Sequence, residues 1–267
     1  MAEIAVHRRE PAQRMGFFTD TTTCIGCKAC EVACKQWNDL PADELRIGKG
    51  RSYDYTGALS ASTWRHVRFA EDDAGWSFMS DVCKHCTHAG CLDACPTGAL
   101  VRTEFGTVVV QPDVCNGCGY CVPSCPFGVI NRDPYDGRAA KCTLCYDRLE
   151  DGLEPACAKA CPTDSIQFGP LDDLVERAQG RVAQLHERGR EDAYLYGAGD
   201  DPGEELAGGL GAFFLLTRPP ERYGLPAQAE SPIQQNMLTA TAVGLTAGFA
   251  AAAVTVASVL ASHRRRR

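Results

Sequence analysis

A chain of 267 residues with a net charge of −7 and a pI of about 5.4 is too acidic to coat nucleic acid, and its one dense basic run, Arg264 to Arg267, sits at the far end. Hydrophobic residues make up 45%, enough to bury a core in one large or two modest domains. No nucleophile elbow, phosphate-cradling glycine loop or His-Glu-x2-His helix is present, so nothing reads as an organic active site.

Residues 1–15 are charged and irregular. Arg8-Arg9 is followed at once by Glu10, Pro11, Gln13 and Arg14, not by the apolar core of roughly seven to fifteen residues that an export signal needs, so an N-terminal arm is expected. Gly16-Phe17-Phe18 starts a short strand leading into the first cysteine group, Cys24-x2-Cys27-x2-Cys30-x3-Cys34. A helical turn then runs through Trp37, with Pro41 expected to end it, and residues 42–62 read as loop. Val67 and Phe69 alternate with polar neighbours, as do Trp76 and Phe78. The turn Asp72-Asp73-Ala74-Gly75 between them predicts a hairpin.

That hairpin delivers the chain to Cys83-x2-Cys86-x4-Cys91-x3-Cys95-Pro96. A second hairpin, Ala99-Leu100-Val101 against Thr107 to Val110 around Glu104-Phe105-Gly106, leads to Cys115-x2-Cys118-x2-Cys121-x3-Cys125-Pro126. The last group is Cys142-x2-Cys145-x11-Cys157-x3-Cys161-Pro162. Leu171, Leu174, Val175, Ala178, Val182 and Leu185 then fall at helical spacing over 171–188, and Gly189 stops the helix. Ala193 to Tyr196 and Ala212 to Thr217 read as short strands on either side of an acidic, glycine-rich loop, Gly197 to Gly211.

All sixteen cysteines thus fall in four groups of four. A disulfide scaffold suits small secreted domains and does not explain the spacing, whereas zinc wants two separated pairs around one ion. A C-x2-C-x2-C turn instead aims three thiolates at one iron–sulfur cube, and the cysteine three residues on points to a second cube. Four [4Fe–4S] clusters follow, with pairs of groups exchanging their fourth ligands. The second and third groups flank a hairpin of the kind found between the halves of a dicluster ferredoxin and form one unit, so the first and fourth form the other. The expected ligand sets are Cys24, Cys27, Cys30 and Cys161; Cys34, Cys142, Cys145 and Cys157; Cys83, Cys86, Cys91 and Cys125; and Cys95, Cys115, Cys118 and Cys121.

The fold class expected is α+β: two stacked dicluster ferredoxin-like units, one inserted in the other, with the four clusters in a row. The outer unit comprises 16–62 and 138–170 and the inner one 63–137, followed by a helix and strands over 171–231 and an anchor over 232–267. Lys28, Lys35, Lys84, Lys141 and Lys159 lie within the cysteine groups, either offsetting cluster charge or simply solvated. His85 and His88 read as surface or supporting residues, because cysteines fill all ligand positions.

Leu238 to Leu260 is a run without charge that, at about 1.5 Å per residue, spans roughly 34 Å against a bilayer core of about 30 Å. Gly244 and Gly248, extended by Ala240 and Ala252, give it a smooth stripe for close helix contact. The arginines after it favour a cytoplasmic C-terminus and a body on the outer, periplasmic face of the cell membrane. A folded body outside without a signal of its own implies export with a partner that carries one.

These residues together resemble a known family. Thr23-Cys24-Ile25-Gly26-Cys27-Lys28-Ala29-Cys30 with Trp37-Asn38-Asp39, Cys115-Asn116-Gly117-Cys118-Gly119-Tyr120-Cys121, and Lys141-Cys142-Thr143-Leu144-Cys145 with Glu154-Pro155-Ala156-Cys157 are similar to the beta, iron–sulfur subunits of membrane-bound respiratory formate dehydrogenases. So are Arg181-Val182-Ala183, Ala193 to Tyr196, Tyr223-Gly224-Leu225-Pro226 and the single C-terminal span. The resemblance implies a non-catalytic electron-transfer subunit. It would carry electrons from a molybdopterin alpha subunit that oxidises formate, through its clusters, to a membrane cytochrome b gamma subunit and quinone. The same relay for another molybdopterin oxidoreductase or a hydrogenase is the alternative, and a non-redox protein stapled by metal is a third reading.

Overall fold

The structure, a computed structural model, describes residues 13–42, 52–73, 75–198 and 206–265. Strand β1 (Met15–Asp20) leads through the turn carrying Cys24 and Cys27 to helix α1 (Ala29–Trp37). Gly26 makes that turn possible: its φ is +69°, and a Cβ there would come within 2.9 Å of the Phe78 ring. α1 stops at Trp37, ahead of Pro41, because Asn38 caps it, donating from its backbone and side-chain amides to the Cys34 carbonyl at 3.1 and 2.8 Å. The expected loop is seen over 52–62; residues 43–51 lie outside the described residues.

β2 (Arg65–Asp72) and β3 (Gly75–Val82) form the first hairpin, with Phe69 opposite Phe78 and their rings edge to face at 4.8 Å. The short helix α2 (Gly90–Asp93) carries Cys91, and β4 (Leu100–Arg102) with β5 (Val108–Val110) forms the second hairpin. A two-residue ladder, β6 (Asn131–Arg132) against β7 (Ala139–Ala140), follows the third group. Short helices α3 (Tyr146–Glu150) and α4 (Ala156–Lys159) frame the fourth group, and β8 (Ile166–Pro170) leaves it.

α5 (Leu171–Glu187) opens with Asp172 and Asp173, favourable at the positive end of a helix, and buries Leu174, Ala178 and Leu185. Its end is a Schellman turn: Gly189, at φ +78°, donates to His186 O, and Arg190 N donates to Leu185 O, both at 2.9 Å. β9 (Tyr194–Tyr196) and β10 (Ala212–Leu216) are the two strands expected after it; of the acidic loop between them, residues 199–205 lie outside the described residues. The chain ends in α6 (Pro232–Arg265).

The main sheet has the order β8-β1-β10-β9, with β1 antiparallel to β8 and parallel to β10. It divides two cores. Phe18 packs with Phe213, Leu174 and Ala178 on the α5 side, whereas Phe17, on the other face as strand alternation requires, packs with Cys30, Cys142 and Cys157. The β1–β8 ladder ties the stretch just before Cys24 to the stretch just after Cys161, and Ser165 Oγ reinforces it by donating to Asp20 O at 2.7 Å. The start of α6 meets α2, but no residue of Thr239–Ser258 is buried, and this stretch is long and apolar enough to cross a membrane.

Candidate metal centres

All sixteen thiols are free. Cys24, Cys27, Cys30 and Cys161, brought together by the β1–β8 ladder, line one cavity. Cys83, Cys86, Cys91 and Cys125 line another with His85 and Lys141. Around Cys34, burial raises the thiol pKa most, Cys142, Cys157 and Cys145 raise it further, and Arg65 lowers it. Burial, with Cys115, Cys118 and Cys95 adding to it, pushes Cys121 up to about 11. Two of the four expected sets thus line one cavity each, and in the other two Cys34 and Cys121 lie within electrostatic reach of the remaining members.

The sets also lie within electrostatic reach of one another. Cys30 feels Cys157, Cys142 feels Cys83, and Cys91 feels Cys121, which links first to second, second to third and third to fourth. The two exposed thiols, Cys27 and Cys118, belong to the first and last sets.

The turns that aim these thiols use left-handed backbone. Lys28 precedes α1 at φ +60°, and Cys145 precedes α3 at φ +51°. Gly117, at φ +73°, lies so close to Gly137 O that a Cβ would approach to 2.8 Å.

Among the described residues no three His, Cys, Asp or Glu side chains converge closely enough for a single metal ion. The thiols surround wider spaces, which suits a polynuclear cluster and not zinc. Their electrostatics fit the same group: burial above all, with neighbouring thiolates, lifts Cys30, Cys91 and Cys142 to about 12, and iron bound to the sulfurs would supply the positive charge that keeps them ionised.

The lysines of the cysteine groups separate into distinct roles. Lys84 is buried and paired with Asp81, with its ammonium over the rings of Phe127 and Phe214 at 5.2 Å. Lys141 is buried too, donating to the carbonyls of Val108 and Cys142. Lys28 pairs with Glu31 at 3.0 Å, Lys35 donates to the carbonyls of Pro41 and Ser62, and Lys159 is solvated.

His85 is buried, accepts a hydrogen bond from Val108 N at Nδ1 (3.0 Å), and is held well below the usual imidazole pKa by burial and then by Lys141, Arg102 and Arg14. His88 is exposed. The cation that local reading missed is Arg65, outside every cysteine group yet fully buried, with Nη2 donating to Cys157 Sγ at 3.2 Å. Burial works to lower its pKa, but Cys157, Cys30, Cys142 and Cys34 together raise it. Strand alternation held the clue: Arg65 shares the inward side of β2 with Val67 and Phe69.

The same cysteine groups place the chain among known proteins. A family model described as a 4Fe-4S dicluster domain matches residues 74–171, and a second with that description matches 23–99. The formate dehydrogenase iron-sulfur subunit of Haemophilus influenzae is 45% identical over 215 residues, 78% of this chain and 67% of that protein. The formate dehydrogenase-O iron-sulfur subunit of Escherichia coli is 42% identical over 234 residues, 85% of this chain and 75% of that protein. The B subunit of the anaerobic dimethyl sulfoxide reductase of Escherichia coli is 39% identical over 168 residues, 61% of this chain and 76% of that protein. The first two alignments reach beyond what a cluster-bearing body alone requires, and on that extent of identity the chain belongs to the family of formate dehydrogenase iron–sulfur subunits.

Proposed function

We propose that this chain relays electrons along four [4Fe–4S] clusters in a row, from a molybdenum or tungsten pterin subunit that oxidises formate to a membrane cytochrome b and quinone. Each cluster, when bound, takes up and releases one electron. Cys24, Cys27, Cys30 and Cys161 hold the first; Cys34, Cys142, Cys145 and Cys157 the second; Cys83, Cys86, Cys91 and Cys125 the third; Cys95, Cys115, Cys118 and Cys121 the fourth. The observation that supports this reading is that the charges of neighbouring sets reach one another, Cys30 with Cys157, Cys142 with Cys83 and Cys91 with Cys121, with exposed thiols in the first and last sets.

The two ferredoxin-like units are nested, residues 63–137 lying between the halves 16–62 and 138–170 that β1 and β8 join, and the β6–β7 ladder stitches them at their boundary. A polarity follows from α6. Ser231, just before it, lies against Gly90 of α2, so the anchor leaves the body beside the third set, and the first set faces the catalytic subunit. The arginines after the span place the C-terminus in the cytoplasm and the body outside.

A relay for another molybdopterin enzyme is favoured by the dimethyl sulfoxide reductase relative, but that match spans 168 residues against 215 and 234 for the formate dehydrogenase subunits. The deciding experiment adds formate anaerobically to the purified complex. Bleaching of the cluster absorbance with quinone reduction is expected, at about sixteen irons per chain. Clusters that stay oxidised with formate, or an iron content of four to eight in fully loaded protein, refute the reading. Protease added outside sealed cells should reach the body, whereas protease confined inside should not.

A further inference from the structure

Among the described residues Arg65 has no carboxylate to balance it. Its side chain is fully buried, and among the described residues no Asp or Glu lies within ion-pair reach. Nη1 donates to Ser80 Oγ and Ser80 O at 3.3 and 3.4 Å, Nη2 donates to Cys157 Sγ at 3.2 Å, the guanidinium lies 4.6 Å over the Phe17 ring, and Nε has no protein acceptor. A guanidinium does not shed its proton in a protein, and a buried charge without a counter-charge is strongly destabilising. Its counter-charges would be cluster thiolates: Cys157, which it touches, and Cys142 and Cys34 of the second set and Cys30 of the first, within electrostatic reach. Ser80 Oγ completes the bridge, standing 3.2 Å from Cys30 Sγ.

We propose that Arg65 is a tuning residue set between the first two clusters, whose fixed positive charge stabilises their reduced states. The inference rests on the ligand sets proposed above. One electron placed among these thiolates adds one negative charge, and Arg65 gives up no proton in answer, so the whole benefit is electrostatic and raises the reduction potential. The effect is larger at the second set, which Arg65 touches through an N–H···S bond, than at the first, reached through Ser80. Lys84 cannot do the same, because Asp81 neutralises it.

The test is an EPR-monitored redox titration of the whole complex carrying Arg65→Met or Arg65→Lys. The second-set signal is identified as the one that Cys34→Ser abolishes. Arg65→Met should shift that signal's one-electron reduction equilibrium at least tenfold towards the oxidised form, about 59 mV. The first set should shift less, the third and fourth should stay where they are, and Arg65→Lys should restore most of the loss. A fully iron-loaded Arg65→Met with unmoved potentials overturns the proposal, as does an equal shift in all four signals or a lysine variant no better than methionine. If neither variant binds iron, Arg65 only holds the core together, and the proposal is equally lost. An unmodified complex well short of sixteen irons would instead remove the ligand sets beneath it.

Discussion

Cys34→Ser is the sharpest probe of the crossed ligand sets, because Cys34 sits on the same helix as Cys30, one turn on, yet its thiol neighbours are Cys142, Cys157 and Cys145. The residue is 5% exposed, so the serine hydroxyl enters a buried site, where an unsatisfied polar group costs about 1–3 kcal/mol. Against a typical domain stability of about 5–15 kcal/mol the body stays folded, and any lost signal is local. Iron should fall from about sixteen to about twelve per chain as one cube fails to form. Complementation sets the refutation: Cys34→Ser and Cys142→Ser should remove the same EPR signal, and Cys24→Ser a different one. If Cys34→Ser and Cys24→Ser remove the same signal, the exchange of ligands between the first and fourth groups is wrong.

Three further outcomes are expected. His66 Nε2 lies 3.0 Å from Asp54 and Nδ1 lies 3.4 Å from Glu31; burial works to lower its pKa, but these carboxylates raise it above the ordinary value. The stability it contributes is fully present below pH about 6.5 and is lost as pH rises through its raised pKa, so thermal unfolding across pH 6 to 9 should show a downward slope that His66→Gln flattens. Gly244→Leu with Gly248→Leu fills a stripe whose glycines meet no neighbour among the described residues; the span should still insert, while co-purification of the membrane subunit should drop, and unchanged recovery would dismiss the stripe as a contact. Ending the chain after Glu230 keeps the Ala207 N to Ala229 O bond and every cysteine, so the body should leave the membrane with its iron and still be reduced by formate where the large subunit stays bound, while quinone reduction fails.

The local signals were legible wherever the physics is local. Two hairpins, the helix ending at Gly189 and the cysteine turns all follow from neighbours in sequence, since turn chemistry and periodicity act over a few residues. The exception within that range is α1, where Asn38, donating back to Cys34 O, ends the helix before Pro41 can. What escaped is the main sheet. β8 reads as Ile166-Gln167-Phe168-Gly169-Pro170, too short and too close to a Gly-Pro pair to announce a strand, and only pairing with β1 far upstream makes it one. The parallel partner β10 is more distant still, and no window of sequence contains both members of that ladder.

The same distance hid the most informative cation. Five lysines inside the cysteine groups invited an electrostatic role, and the structure gives Lys84 a carboxylate and leaves Lys159 to solvent. Arg65 enters from the β2–β3 hairpin, in a part of the chain without cysteines, because that hairpin is wedged against the core containing Cys30, Cys142 and Cys157. A cluster needs charge compensation from wherever the fold can deliver it, and spacing rules describe only the ligands. The cysteines alone lead to the ligand sets proposed for the first two clusters, whereas the cation proposed to tune them is a residue that only the folded chain brings near.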